Sequence, residues 1–316
     1  KKSLGSLRLI TPLRKLFTEQ RPDIIHLRSR VPAWLAWWAW QKLPTGNRPG
    51  LVTTVHGFYS VNRWSEIMCC GERIICVSDS IRQYVVENYP RADDTKLRVV
   101  PRGVSPSDYP FGFRADLDWR NRFEEQFPEI RGKKLLTLPG RITRLKGHED
   151  LIRIMKSLPS DLNIHALIVG GTHPRKTAYF EELKGKVEEA GLGAMITFTG
   201  NRDDLREILS ISTLVLSLTR QPESFGRTTL EALAMGVPVA GYDHGGVAEQ
   251  LETLFPDGRI PPLDTGAAAA IVSSLIRSAP KVRQPNPFTL ANMLEGTMGV
   301  YEELLAARPL DKTRSH

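Results

Sequence analysis

Short apolar runs and amphipathic stretches alternate along most of the chain. From Leu135 onward the alternation is regular: "LLTL" leads to Leu151, Ile152, Met155 and Leu158 at helical spacing, and "HALIVGG" leads to Phe180, Leu183 and Val187 with a stop at Gly191. "MITFTG", a helix carrying Leu205, Ile208 and Leu209, "TLVLSL" and "PVAGY" follow. Apolar strands separated by one-sided helices predict a parallel sheet with helices on both faces. The first third repeats the pattern, with a helix on Leu7, Ile10, Leu13 and Phe17, then "DIIHL", a tryptophan-rich helix, "LVTTVH", "RIICVS", a helix after Ser78, and "LRVV". The expected fold class is α/β, as two doubly wound units in series.

At 316 residues the chain exceeds the size at which one core usually keeps growing, which agrees with two domains. The expected division is 1–104, a linker at 105–134, and 135–289, with a terminal helix at 290–316 packing back onto the first unit. Pro101, Pro106, Pro110 and Pro128 among mixed charges suggest the linker. An open α/β domain normally begins with a strand, whereas this sequence opens in a helix. The expectation is therefore an amino-terminal truncation, with roughly 30 to 60 residues and any Gly-rich loop they held preceding Lys1.

Composition changes the picture little: with 41% hydrophobic and 25% charged residues, a disordered chain is excluded. Charge is more informative. Residues 1–100 hold 16 Lys and Arg against 8 Asp and Glu, whereas 101–316 hold 27 of each, so the whole surplus of +8 lies in the first third. Two readings stand: an anionic partner (membrane surface, phosphorylated acceptor or nucleic acid), or a solvated basic face. "AWLAWWAW" carries four of the six tryptophans; core packing is favoured over docking at a membrane interface, and the run is far shorter than the ~20 residues of a spanning helix. Cys69, Cys70 and Cys76 make no disulfide framework and no zinc spacing, so no metal is expected and a reducing compartment fits.

Ligand sites of open parallel sheets form at the carboxyl ends of strands. "TLVLSL" runs into "TRQPESFG" and then a helix that Gly236 and Pro238 end. This puts Glu223 in the loop and Glu231 in the helix. Gly226 permits close backbone approach, and Arg227, Thr228 and Thr229 stand at the positive helix end, an anion site suited to a diphosphate. After "LLTL", "PGRITRLKG" supplies Arg141 and Lys146 as counter-charge. His148 reads as a helix-start residue and His173 as a loop residue. Gly170-Gly171 is too short for a dinucleotide fingerprint.

"PESFGRTTLEALAMGVPVAGYDHGG", with "GRITRLKG" and "ITFTGNRDDL", resembles the retaining glycosyltransferases of family 4, of the lipopolysaccharide-core type, which have two Rossmann-like domains facing a cleft (GT-B). The resemblance implies that residues 135–289 bind a nucleotide-sugar donor and residues 1–104 face the acceptor. It implies that Glu223 accepts hydrogen bonds from the donor sugar, that Ser224, Phe225 and Gly226 line it, and that Thr228 and Thr229 hold the diphosphate with Arg141 and Lys146. Glu231 is expected on the ribose, the loop Gly200, Asn201 and Arg202 on the base, and His56 facing the sugar; without the resemblance, His56 reads as a structural histidine. Arg102 stands where the family often has Asn.

The resemblance implies sugar transfer with retained configuration from a nucleotide-diphosphate donor, by default a UDP-sugar, to a lipopolysaccharide-core or other glycolipid acceptor. The leaving diphosphate helps deprotonate the acceptor hydroxyl. No cofactor or metal is expected, nor a nucleic-acid partner, since the basic residues lack clustered runs. A cytoplasmic protein peripheral to the inner leaflet of the membrane is expected. A non-catalytic nucleotide-sugar or membrane-binding module is the alternative. A metal-dependent transferase rests only on Asp116 and Asp118 of "DLD", in the expected linker.

Overall fold

A computed structural model of the chain describes residues 4–90, 92–172 and 177–308. The chain divides into two compact units, one running to Arg102 and resuming at Ala291, the other formed by Gly103–Leu290.

The first unit holds α1 (Ile10–Gln20), β1 (Ile24–Leu27), α2 (Arg30–Gln41), β2 (Gly50–Val55), β3 (Arg73–Cys76), α3 (Asp79–Asn88) and β4 (Leu97–Val99). Its strands pair in parallel in the order β1-β2-β3-β4. The period-2 alternation of strands sorts side chains to two faces. Leu51 and Val55 of β2, with Ile74 and Cys76 of β3, join the core beneath α2 and α3, while Val52 and Ile75 face the other way. The tryptophan-rich α2 buries Ala33, Leu35, Ala36 and Ala39, and its half-buried Trp34, Trp37 and Trp40 pack against this core, in line with the core-packing expectation. Trp34 stacks on Trp64 with ring centroids 5.6 Å apart. The three cysteines are free, and burial pushes each thiol up to about 12.

The second unit comprises α4 (Leu117–Gln126), β5 (Lys134–Pro139), α5 (His148–Ser157), β6 (Ile164–Val169), α6 (Ala178–Glu189), β7 (Ile196–Gly200), α7 (Leu205–Ile211), β8 (Leu214–Ser217), α8 (Arg227–Ala234), β9 (Val239–Tyr242), α9 (Gly245–Leu254), β10 (Arg259–Ile260) and α10 (Thr265–Ser278). Its six parallel strands run β10-β9-β8-β5-β6-β7. Leu136 and Leu138 point into the main core, and Leu135 into a second core with Leu167, Val169 and Ile208.

Residues 105–134, expected as a linker, pack within this unit. Phe123 and Ile130 belong to the second core, and Asp116 caps α4 by accepting the Trp119 amide at 2.7 Å. Asp116 of "DLD" is thus a helix cap.

The terminal helix α11 (Leu290–Ala306) returns to the first unit, where Val300 and Leu304 cover Val52, Ile75 and Val100. The expected extension to 316 falls, from residue 309, outside the described residues, as does His173. Among the described residues no helix is long and apolar enough to cross a membrane.

Candidate functional site

The order of the larger sheet reverses at β5: β6 and β7 lie to one side, β8, β9 and β10 to the other. Loops leaving neighbouring β5 and β8 therefore diverge, and a crevice opens between their carboxyl ends. It is lined by Pro139, Lys146, Thr219, Glu223, Thr228 and Thr229.

Backbone geometry sets the walls. Gly147, at φ +74°, starts α5, and a Cβ there would overlap the Leu218 carbonyl oxygen, so glycine alone lets the loop after β5 press on the end of β8. Arg220 N also donates to Leu145 O at 2.8 Å. Lys146 is thereby turned into the crevice, where its ammonium meets the Glu223 carboxylate. Thr219 Oγ1 donates to the same carboxylate oxygen at 2.6 Å.

The Glu223 loop is held from behind. Gly246 N donates to Glu223 O at 2.8 Å, and the fully buried Gln250 donates its side-chain amide to Phe225 O. His244 Nε2 donates to Thr219 O at 2.8 Å. Gly226, at φ +85°, then begins α8 without a side-chain cap, leaving the first-turn amides beside Thr228 and the buried Thr229. Uncapped amides carry the positive end of the helix dipole and suit an anion.

Other residues singled out in the sequence stand as follows. Glu231 is 6% exposed, its carboxylate beside Arg227 Nη2 at 3.2 Å and the Tyr109 hydroxyl. Burial raises its pKa despite both partners. Arg141, expected to converge with Lys146, is exposed, does not line the crevice and makes no ion pair among the described residues; only Lys146 is brought in. At the end of β7, Gly200 has φ +72° and Asn201 packs against Gly171. Arg202, expected on a base, is occupied: it forks to Asp204 at 2.8 and 2.6 Å, reaches Gln126 at 3.1 Å and lies over the Phe123 ring. Ser224 and Phe225 belong to the clamped loop, with Phe225 buried.

Asp150, which sequence reasoning missed, is 1% exposed and accepts from Arg220 at 2.7 and 2.8 Å, Arg153 at 2.7 Å and Tyr242 at 3.0 Å. It ties the loop after β8 to α5 and β9. His148, at the start of α5, is fully buried with its Nε2 unpartnered, and burial lowers it to about 4.

In the first unit, His56 follows β2 at the carboxyl edge of the smaller sheet. Arg102 contacts its Nδ1, and burial, with Arg102 and Arg28, lowers it to about 4. On β1, His26 joins Tyr301 of α11 and Thr54, each at 2.6 Å.

Two family models match the chain: "Glycosyl transferases group 1" over residues 120–285 and "Glycosyltransferase Family 4" over residues 1–108. A lipopolysaccharide core biosynthesis mannosyltransferase of Rhizobium meliloti is 32% identical over 138 residues, 40% of this chain and 39% of that protein. Among solved structures, a glycosyltransferase from Rickettsia africae has a TM-score of 0.80 at 24% identity, covering 98% of this chain and 84% of its own. HepE from Anabaena, in complex with UDP and glucose, has a TM-score of 0.72 at 19% identity, covering 96% and 77%. The chain spans about half the length of curated relatives it matches, 44%, 56% and 63% for three of them.

Proposed function

The chain belongs to the glycosyl transferases, group 1, and we propose that it moves a sugar from a nucleoside-diphosphate donor to an acceptor hydroxyl with retained configuration. The observation that carries this reading is the crevice at the strand-order reversal, where Lys146 and Glu223 face the uncapped start of α8. Its parts match the parts of such a donor. The diphosphate takes the α8 amides, Thr228 and Thr229, and draws Lys146 from Glu223; the freed carboxylate then accepts hydroxyls of the sugar. Glu231 takes the ribose on exchanging Arg227, a bond worth little because Arg227 is exposed.

In the transfer, the bond from the anomeric carbon to the diphosphate oxygen breaks and the acceptor oxygen bonds that carbon from the same face. The acceptor proton leaves on the diphosphate. Lys146 and the helix amides stabilise the charge that grows there, so no protein carboxylate need attack and no metal ion is required. A UDP donor is supported by the fold neighbour holding UDP and glucose, and a lipopolysaccharide-core or other glycolipid acceptor by the Rhizobium relative. The basic first third and the half-buried tryptophans of α2 suit a protein peripheral to an anionic membrane on its cytoplasmic side.

A thermal-shift screen of nucleotide sugars with excess chelator tests the reading, because a ligand of the native state raises its apparent stability. UDP-sugars are expected to stabilise the wild-type chain and not Glu223→Ala, and transfer is expected to fall by about a hundredfold or more in that variant. Unchanged donor binding and transfer in Glu223→Ala would sink the assignment.

A further inference from the structure

The carboxyl edge of the four-stranded sheet carries a cationic cluster whose residues are not among those lining the crevice of the second unit. Arg28 directly follows β1, His56 follows β2 and Arg102 lies three residues beyond β4, so the chain delivers these groups from separate strand ends. Arg102 Nη2 bonds His56 Nδ1. A guanidinium can only donate, so Nδ1 is the acceptor and the neutral ring carries its proton on Nε2. His56 therefore presents an N–H donor.

His26 supports the cluster without facing a ligand, since Tyr301 and Thr54 occupy both its ring nitrogens. Burial, and after it the charges of Arg28 and Arg102, lower both rings to about 4, so both histidines are neutral near pH 7. Arg28 is exposed and makes no ion pair among the described residues. The α2 helix starts just after it, and the Ser29 side chain does not cap the first turn. Fixed positive charge, a directed N–H donor and open helix amides thus share one sheet edge.

We infer that this edge binds a phosphoryl group of the acceptor, with Arg28 and Arg102 on its oxygens and His56 Nε2–H as a third donor. A phosphomonoester offers three oxygens to donors arriving from separate strand ends, whereas a carboxylate offers two in one plane. That the phosphoryl group belongs to the acceptor rests on the proposed function; the anion subsite stands without it. A soluble sugar phosphate and a phosphomonoester lipid headgroup present the same chemistry.

The test follows the imidazole Cε1–H resonance of His56 in the full chain by NMR during titration with inorganic phosphate and glucose 6-phosphate, with glucose as control. The phosphates are expected to move the resonance and raise the ring's pKa, because a bound anion opposes the two arginines. Glucose is expected to do neither. Arg28→Gln, an exposed change that spares the core, is expected to weaken phosphate binding by roughly tenfold, and Lys146→Met to leave the His56 response intact.

In a second arm, phosphatidylcholine vesicles carrying phosphatidic acid are compared with ones carrying phosphatidylglycerol. A response to glucose 6-phosphate assigns a soluble acceptor, and one confined to phosphatidic acid a lipid acceptor; equal responses to both vesicles overturn the subsite in favour of general surface charge. A His56 resonance that neither the soluble phosphates nor phosphatidic acid moves, or that moves equally in Arg28→Gln, also overturns it. UDP-sugar binding is read on the same samples through His244, which is bonded to Thr219. Failure there with the His56 response intact would count against the donor reading alone.

Discussion

His26, His56 and His148 are each held near a pKa of about 4 against an ordinary 6.5, with burial the largest cause in every case. A histidine kept neutral in the folded chain takes its proton at higher pH once unfolded. The stability this contributes is complete above about pH 6.5 and drains as pH falls towards 4, by up to about 1.4 kcal/mol per pH unit for each ring. Urea midpoints are expected to drop through that window; a flat profile from pH 6.5 to 4.5 would show that the rings are not held neutral. Residue types at strand ends were legible in the sequence: Glu223 and Lys146 sit in loops, and Thr228 and Thr229 at a helix start, that the alternation of strands and helices marks out. Their partners were not. Nothing local says that Lys146 meets Glu223, that Arg220 grips Asp150, or that Arg202 is claimed by Asp204, because each pairing follows from how the chain packs.

Helix α11 shows the same division at the level of an element. Its helical pattern and return to the first unit could be expected, but not the clamp that fixes it. Glu303 accepts from Arg73 at 2.9 Å and Arg98 at 2.8 Å, and Arg308 reaches Glu72 at 2.7 Å. These pairs are partly exposed and contribute modestly; burial of Val300 and Leu304 against the sheet contributes more. Leu304→Ala is expected to cost about 2–5 kcal/mol in the first unit and to speed amide exchange in β2 and β3. Glu303→Gln should cost much less, and equal effects would reverse that ranking. Helix α4 was missed because "DLDWRNRFEEQF" shows few apolar positions between prolines, and its single fully committed anchor, Phe123, gains meaning only from the sheet face it meets.

Each of the two units in the whole molecule has its own core, and the proposed donor crevice lies entirely in the second. Calorimetry is expected to resolve two transitions, of which a UDP-sugar raises the one belonging to Gly103–Leu290. A single transition that shifts as a whole would instead mean that the cores unfold as one. The cysteines supply a way to tell the halves apart. All three lie between positions 69 and 76, and a thiol held near 12 is almost entirely protonated at neutral pH, hence a poor nucleophile. Alkylation of Cys76, buried at the end of β3, must then wait under native conditions for this sheet to open, and the larger half, having no thiol, gives no signal. The chain thus carries a chemical clock that times the breathing of one unit alone.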